Sequence, residues 1–325
     1  MSLDPAVAAV RRAVRAALDG VEPGSSVLVA CSGGTDSLAL LSAAVFEGRK
    51  ESLRIVGATV DHGLQEGSTE HAERVVHQMA ELGATETISV SVHVDGGGLG
   101  PEAAARQARY AVLEEMAERV DAGVILLGHT RDDQAETVLM GLARGSGGRS
   151  IAGMRRAFGR YRRPLLDVSR ADTAAACEAE GIVPWDDPHN DDPAFTRVRV
   201  RHQVLPLLET ELGPGVAVSL ARTADLLRAD MEYLDGVAEA EFKNAQEQGL
   251  SAAVLAELPA PIRTRVLRLA ALAAGSPASD LFHEHVVGMD RLITDWHGQK
   301  GIDLPGGIRF VRKGIVLGFL RSSGS

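Results

Sequence analysis

Along the first two-thirds of the chain, short aliphatic runs alternate with longer stretches of helical period. Val27 to Ala30 is an unbroken aliphatic run, too short for a helix, and an apolar pattern of period 3.6 resumes at Leu38 to Leu41. Strands are predicted again at 54–59, 86–94 and 123–128. Helices are predicted at 70–82, from 101 onward, after 129, and at 172–181. This alternation predicts an α/β fold, a Rossmann-like, mainly parallel sheet with helices on both faces. Residues 9–18 read as an ordinary amphipathic helix leading into the first strand. Residues 145–163 are basic and Gly-rich, which predicts a mobile loop. Past Leu205 the pattern turns helical at 217–248 and 261–274, with short antiparallel strands within 308–320. The expected division is therefore an N-terminal domain over 1–205 and a mostly helical domain over 206–325 with short terminal strands; nothing in the second reads as catalytic, which points to substrate positioning.

Composition narrows the class. The chain has 325 residues, 45% of them hydrophobic, enough for two domains and a large core. It has no apolar run long enough to span a bilayer, so no membrane partner is expected. Cys31 and Cys177 are the only cysteines, which leaves no disulfide framework or zinc site and points to the cytoplasm. The net charge of −10 excludes a globally basic protein. Against that background Arg144, Arg149, Arg155, Arg156, Arg160, Arg162 and Arg163 form a run without an acid, and Arg197, Arg199 and Arg201 form a second. Arg144, Arg149, Arg155, Arg156, Arg197, Arg199 and Arg201 are the candidate nucleic-acid contacts.

The chemistry centres on the turn between the first strand and its helix, Ser32-Gly33-Gly34-Thr35-Asp36-Ser37. Two glycines let successive backbone N–H groups point into one concavity at a helix N-terminus, where phosphate oxygens bind. The loop lacks the lysine of a Walker motif and the spacing of a dinucleotide fingerprint. It carries Asp36 instead, a hard oxygen ligand suited to Mg²⁺ on a departing pyrophosphate. Asp61 and His62 follow the second strand and Gly128 ends the fourth, all at the carboxyl ends where open α/β sheets bind ligands. On the helix after Gly128, His129, Asp132, Asp133 and Glu136 form one stripe, expected to face outward. Ala135, Val138, Leu139 and Leu142 form another, expected to pack on the sheet. Arg106 and Arg109 share a helix face with Glu102 and Tyr110.

The Ser-Gly-Gly-x-Asp-Ser loop resembles the PP-loop of the ATP pyrophosphatases. Other segments extend the likeness: Val60-Asp61-His62-Gly63-Leu64, Glu102 to Tyr110, Gly128 to Thr137, Ala143-Arg144-Gly145-Ser146-Gly147, Pro164-Leu165-Leu166, Trp185-Asp186-Asp187-Pro188 and Asn190-Asp191. Taken together the chain resembles the tRNA(Ile)-lysidine synthase family, continuously from Val27 to about Leu208 and more weakly beyond.

The resemblance implies an ATP-dependent ligase that joins L-lysine to C2 of the wobble cytidine in the tRNA(Ile) with a CAU anticodon. It implies an adenylated cytidine and release of AMP and pyrophosphate. ATP would lie on Ser32, Gly33, Gly34, Thr35, Asp36, Ser37, Asp61, His62 and Gly128, with Mg²⁺ on Asp36. Arg106 or Arg109 would brace the phosphates. Asp132, Asp133 and Glu136 would hold the lysine ammonium, and one of them or His129 would take its proton. A homodimer is an admissible assembly state. Gln65 stands where the family commonly has Arg, and Val198 where it commonly has Asn. Three alternatives stay open: a PP-loop tRNA thiolase, which usually needs paired cysteines; a small-molecule amidating synthetase, which would not need the arginine flanks; and a nucleotide-binding regulator without catalysis.

Overall fold

A computed structural model describes residues 3–61, 68–91, 101–145, 147–185 and 192–321, with the side chains of 101–106 outside the description. Helix α1 (Pro5–Leu18) starts on the Asp4 side chain, which accepts from the Ala6 N–H at 2.8 Å. There follow β1 (Ser26–Ala30), α2 (Thr35–Lys50), β2 (Arg54–Asp61), α3 (Ser68–Glu81), β3 (Glu86–Ser91), α4 (Pro101–Arg119), β4 (Ala122–Leu126) and α5 (Arg131–Arg144). Next come α6 (Gly148–Ile151), the two-residue strands β5 (Ala157–Phe158) and β6 (Tyr161–Arg162), a 3-10 turn at Pro164–Asp167, and α7 (Arg170–Ala179). Thr196–Arg199 (α8), a π turn at Val200–Val204 and Leu205–Glu211 (α9) lead to the long helix α10 (Val216–Gln248). The chain closes with α11 (Ala252–Glu257), α12 (Ala260–Ala273), α13 (His283–Thr294), β7 (Ile302–Leu304), β8 (Ile308–Lys313) and β9 (Val316–Arg321).

Among the described residues the first sheet has the order β3-β2-β1-β4-β6-β5, parallel throughout except for β5 against β6. From β1 the chain runs outward to β2 and β3, then returns to the other side of β1 as β4. The turn after β1 therefore lies at the switch point of the sheet, where ligands of such folds bind. Both faces are covered, which is why the β1 run is aliphatic rather than alternating. Val27 and Val29 face a core with α1, α2, α3 and α7, while Leu28 faces Leu113, Met116 and Ala117 of α4.

Residues 145–163 are not simply a loop. They contain α6 and the β5/β6 hairpin, and Tyr161 and Arg163 are buried. Strands two residues long leave no period to detect, so the hairpin escapes a sequence reading. The α5 stripes also differ from expectation. Ala135 and Leu139 pack with Val200 and Leu205 rather than on the sheet, and Leu142 is exposed. By contacts the chain divides into one unit of 1–144 and 153–224 and a second of 145–152 and 225–325; the sequence reading divides it at 205/206. The second unit has its own core around Leu267, Met289 and Phe310, formed by α11, α12, α13 and the antiparallel sheet β7-β8-β9.

Candidate active site

The turn after β1 is folded by its own hydroxyls and glycines. Ser37 Oγ donates to the Gly34 carbonyl at 2.8 Å and receives the Ser32 N–H at 3.2 Å. Gly33 has φ +82°, and a Cβ there would meet Val75 Cγ2 at 2.6 Å, so this position admits only glycine without strain. The two Gly33-side carbonyls are tied from outside: the Trp185 N–H donates to Gly33 O at 2.9 Å, and His71 Nε2 lies 3.0 Å from Ser32 O with its ring 3.7 Å from that of Trp185. Carbonyls held outward are kept off the anion side of the turn, where the N–H groups of Gly34, Thr35 and Asp36 stand at the start of α2. Gly128 closes the other wall, where a Cβ would sit 3.2 Å from the Asp36 carbonyl oxygen and Ser37 Cα.

Asp36, in the first turn of α2, is the reactive-looking acid. Burial pushes its carboxyl up to about 6, and Asp133 adds to that; the Thr173 hydroxyl, Arg170 and Arg201 pull the other way. Thr173 Oγ1 donates to Asp36 Oδ1, and Arg170 Nε stands 3.8 Å from Oδ2. A half-buried carboxylate beside another acid favours a nearby cation, and Mg²⁺ is commonly held by one or two carboxylates together with phosphate oxygens and water. Asp36 fits that role. Among the described residues no cluster of three or more His, Cys, Asp or Glu forms a self-sufficient metal site.

The α5 acids are not a solvated face. Thr130 and Asp133 make a reciprocal cap: Asp133 Oδ2 accepts from the Thr130 N–H at 2.8 Å and from its hydroxyl at 3.0 Å. The remaining oxygen, Oδ1, accepts from Arg170 Nη2 at 3.0 Å and Arg201 Nη2 at 3.4 Å. Burial opposes ionisation of Asp133, but Arg170 and the Thr130 N–H outweigh it and hold the carboxyl below its ordinary range. Glu136 has a fully buried side chain, and Arg201 Nε donates to its Oε1 at 2.8 Å and Arg170 Nη2 at 3.2 Å, with Arg197 Nε 3.5 Å from Oε2. Asp132 is partly exposed and accepts the Arg170 N–H at 2.7 Å. Two members of the stripe expected to face outward, Asp133 and Glu136, are thus turned inward, where guanidiniums from α7, α8 and the π turn neutralise them.

At the end of β4, Arg163 Nε donates to His129 Nδ1 at 3.3 Å. Arg163 Nη1 donates to Arg155 O at 2.6 Å and Nη2 to the Tyr110 hydroxyl at 3.0 Å, and the guanidinium covers the Phe158 ring at 4.7 Å. Asp61, buried at the end of β2, accepts from Thr69 Oγ1 at 3.3 Å.

Comparison with known proteins gives this geometry a family. Residues 7–208 match the PP-loop domain, and residues 250–315 match the TilS substrate binding domain. The chain is 56% identical over 311 residues to a tRNA(Ile)-lysidine synthase of Thermobifida fusca, covering 94% of each chain. The chain belongs to the tRNA(Ile)-lysidine synthase family. A second relative of that name, from Streptomyces coelicolor, is 52% identical, covering 97% of this chain and 98% of the other. Among solved structures, a U34-tRNA thiolase NcsA from Methanococcus maripaludis matches with a TM-score of 0.58 over 69% of this chain and 80% of that one. At 19% identity it speaks for the PP-loop fold alone.

Within that family assignment the residues singled out from sequence separate into groups. Ser32, Gly33, Gly34, Thr35, Asp36, Ser37, Gly128 and Asp61 stand at the carboxyl ends of β1, β2 and β4. Asp132, Asp133 and Glu136 meet Asp36 through Arg170. Arg197 and Arg201 are held by Glu136, and Arg199 Nη1 donates to the Pro193 carbonyl of its own segment at 2.6 Å. Arg144 and Arg155 are exposed; Arg156 pairs with Asp167 at 2.6 Å. In the second unit Arg149 pairs with Asp235 at 2.6 Å. His62, Gly63, Leu64, Gln65, Ser146, Asp186, Asp187, Pro188, Asn190 and Asp191 lie outside the described residues, as do the side chains of Glu102 and Arg106. The sequence reading did not find Arg170, Thr173 or His71. The one available signal was the Ser169-x-x-Asp172 capping box that starts α7 and presents the first two of them.

Proposed function

We propose that this chain acts in the cytoplasm as a tRNA(Ile)-lysidine synthase, ligating L-lysine to C2 of the wobble cytidine in the CAU-anticodon tRNA(Ile). The cytidine O2 attacks the α-phosphorus of ATP and pyrophosphate leaves. The neutral lysine amine then adds to C2, and AMP departs with the former O2. A pyrimidine carbonyl oxygen is a poor leaving group until it is adenylated, which is why the reaction consumes ATP. The target base sits in a single-stranded loop, where extruding it is cheap.

The N–H groups around Gly33 and Gly34 receive the phosphates of ATP. Asp36 would hold Mg²⁺, which when bound supplies charge to the leaving pyrophosphate. Arg170, set between Asp36, Asp133 and Glu136, orients the loop acid against the α5 acids. Of the three α5 acids, Glu136 and Asp133 are engaged by guanidiniums, so the partly exposed Asp132 is the one to meet the lysine ammonium. Arg144, Arg155 and Arg156 contact the RNA, while Arg197 and Arg201 organise the acids.

The observation that carries this reading is the ionic chain from Asp36 through Arg170 to Asp133 and Glu136, joining a PP-loop to the acid helix of the family. The test is incubation with radiolabelled L-lysine, ATP, Mg²⁺ and transcripts of the isoleucine and methionine CAU tRNAs. ATP-dependent label on the isoleucine transcript alone is the expected result. Formation of AMP without label on either RNA would direct the chemistry to another acceptor.

A further inference from the structure

Two groups at the end of β4 bear on which residue takes the lysine proton. Arg163 is 5% exposed and its guanidinium is fixed at several points: a carbonyl, a phenol, an aromatic face and His129. A guanidinium is a donor only and does not lose its charge in proteins. The atom that receives Nε–H must therefore be an acceptor. That atom is Nδ1 of His129, 3.3 Å away. In a neutral imidazole one nitrogen accepts and the other carries the proton.

We propose that Arg163 is a positioning residue that locks His129 as the Nε2–H tautomer, so that His129 serves the reaction as a hydrogen-bond donor to a phosphoryl or departing oxygen and not as the base. The inference rests on the functional reading above for the reaction it concerns, but the tautomer itself does not. A proton taken up at Nδ1 would break the bond from Arg163 and set two cations side by side in a partly buried place, a cost that the nearby charge of Asp133 offsets only in part. Nε2 already carries its proton. The base that receives the lysine proton is then a carboxylate, and Asp132 is the α5 acid that accepts from a backbone N–H, that of Arg170, where Asp133 and Glu136 accept from guanidiniums.

His129 is rooted to serve this role. It follows Gly128, which packs on the Asp36 and Ser37 backbone, and precedes Thr130, which caps α5 through Asp133. The ring is thus carried between the phosphate loop and the acid helix. Arg163 reaches it from the β6 side, where Phe158 and Tyr161 stack at 4.9 Å and Tyr110 meets Tyr161 at 5.1 Å, forming an aromatic shelf under the guanidinium.

The tautomer is read from nitrogen-15 spectra of the full chain labelled at histidine, at neutral pH, with His129→Asn assigning the signal. Long-range proton–nitrogen correlations should give the Nε2–H pattern for His129. Arg163→Met, which keeps the volume and removes the donor, should release the ring to a mixture of tautomers. It should lower kcat for AMP formation about 100-fold while leaving KM for ATP within about twofold. Arg163→Lys, a donor-only cation, should restore the Nε2–H pattern. An Nδ1–H pattern in the unaltered protein overturns the proposal, and that measurement needs no Arg163 variant to fold. An unchanged kcat in a folded Arg163→Met protein overturns it as well. A negative lysine-transfer assay with an Nε2–H spectrum would count against the functional reading and leave the tautomer assignment standing.

Discussion

The Thr173 hydroxyl donates to Oδ1 of Asp36 across 137 positions of sequence, so α7 tempers the rise that burial imposes on the acid at the mouth of the phosphate loop. The bond stabilises the charged carboxylate that burial disfavours. Thr173→Val should raise the Asp36 carboxyl further and move the acid limb of the kcat/KM profile to higher pH. A profile superimposable on that of the unaltered protein would remove Thr173 from this role.

Asp36 also makes a prediction about stability. Its folded carboxyl, pushed from 3.8 up to about 6 chiefly by burial, holds its proton where the unfolded chain has lost it. Between those values the folded state binds more protons, so stability falls as pH rises and the penalty is complete above about 6. The shift corresponds to about 3 kcal/mol. Asp36→Asn should therefore abolish turnover and, without divalent cations, stabilise the protein at pH 8 by up to about that amount, with the gain vanishing near pH 4. Denaturant unfolding at the two pH values measures it, and equal stability at both would refute the assignment.

Glu136 is an anchor rather than a surface acid. Glu136→Ala leaves Arg201, Arg170 and Arg197 without their shared buried partner and should destabilise the first unit by about 3–5 kcal/mol. Thermal unfolding checks this; a loss under about 1 kcal/mol would mean that the pairs are solvent-screened.

Arg156 offers the opposite case. It pairs with Asp167 at an exposed position, where ion pairs add about 0–1 kcal/mol. Arg156→Ala should leave unfolding unchanged, weaken tRNA binding, and reduce the slope of log K against log salt by about one. Binding and slope both unaltered would take Arg156 off the RNA surface.

The phosphate loop and its neighbours were legible because their signals are local: glycines, hydroxyls and an acid directly after an aliphatic run, and an acid periodicity on α5. The helices at 70–82, 172–181, 217–248 and 261–274 stand in the structure with their ends displaced by at most two residues. What stayed hidden is long-range. Arg197 and Arg201 read as a basic run because their partner Glu136 lies more than sixty positions earlier. Arg170 looks like an ordinary helix-start residue beside a capping box, and only the fold brings it to Asp36. The sign of a charge is visible in sequence, but its neutralisation is a property of the tertiary structure.

Glu180, just past α7, accepts from Arg11 of α1 at 2.6 Å and from Ser42 of α2 at 2.5 Å. Helix α7 carries Thr173 and Arg170, and α2 carries Asp36, so the first helix of the chain is strapped to both walls of the phosphate loop. The loop is consequently not a portable cassette. Its short motif can be copied into another strand-to-helix turn, but the ionisation of its acid belongs to a three-helix scaffold gathered from opposite ends of the unit, and a graft that leaves those helices behind transplants the shape without the chemistry.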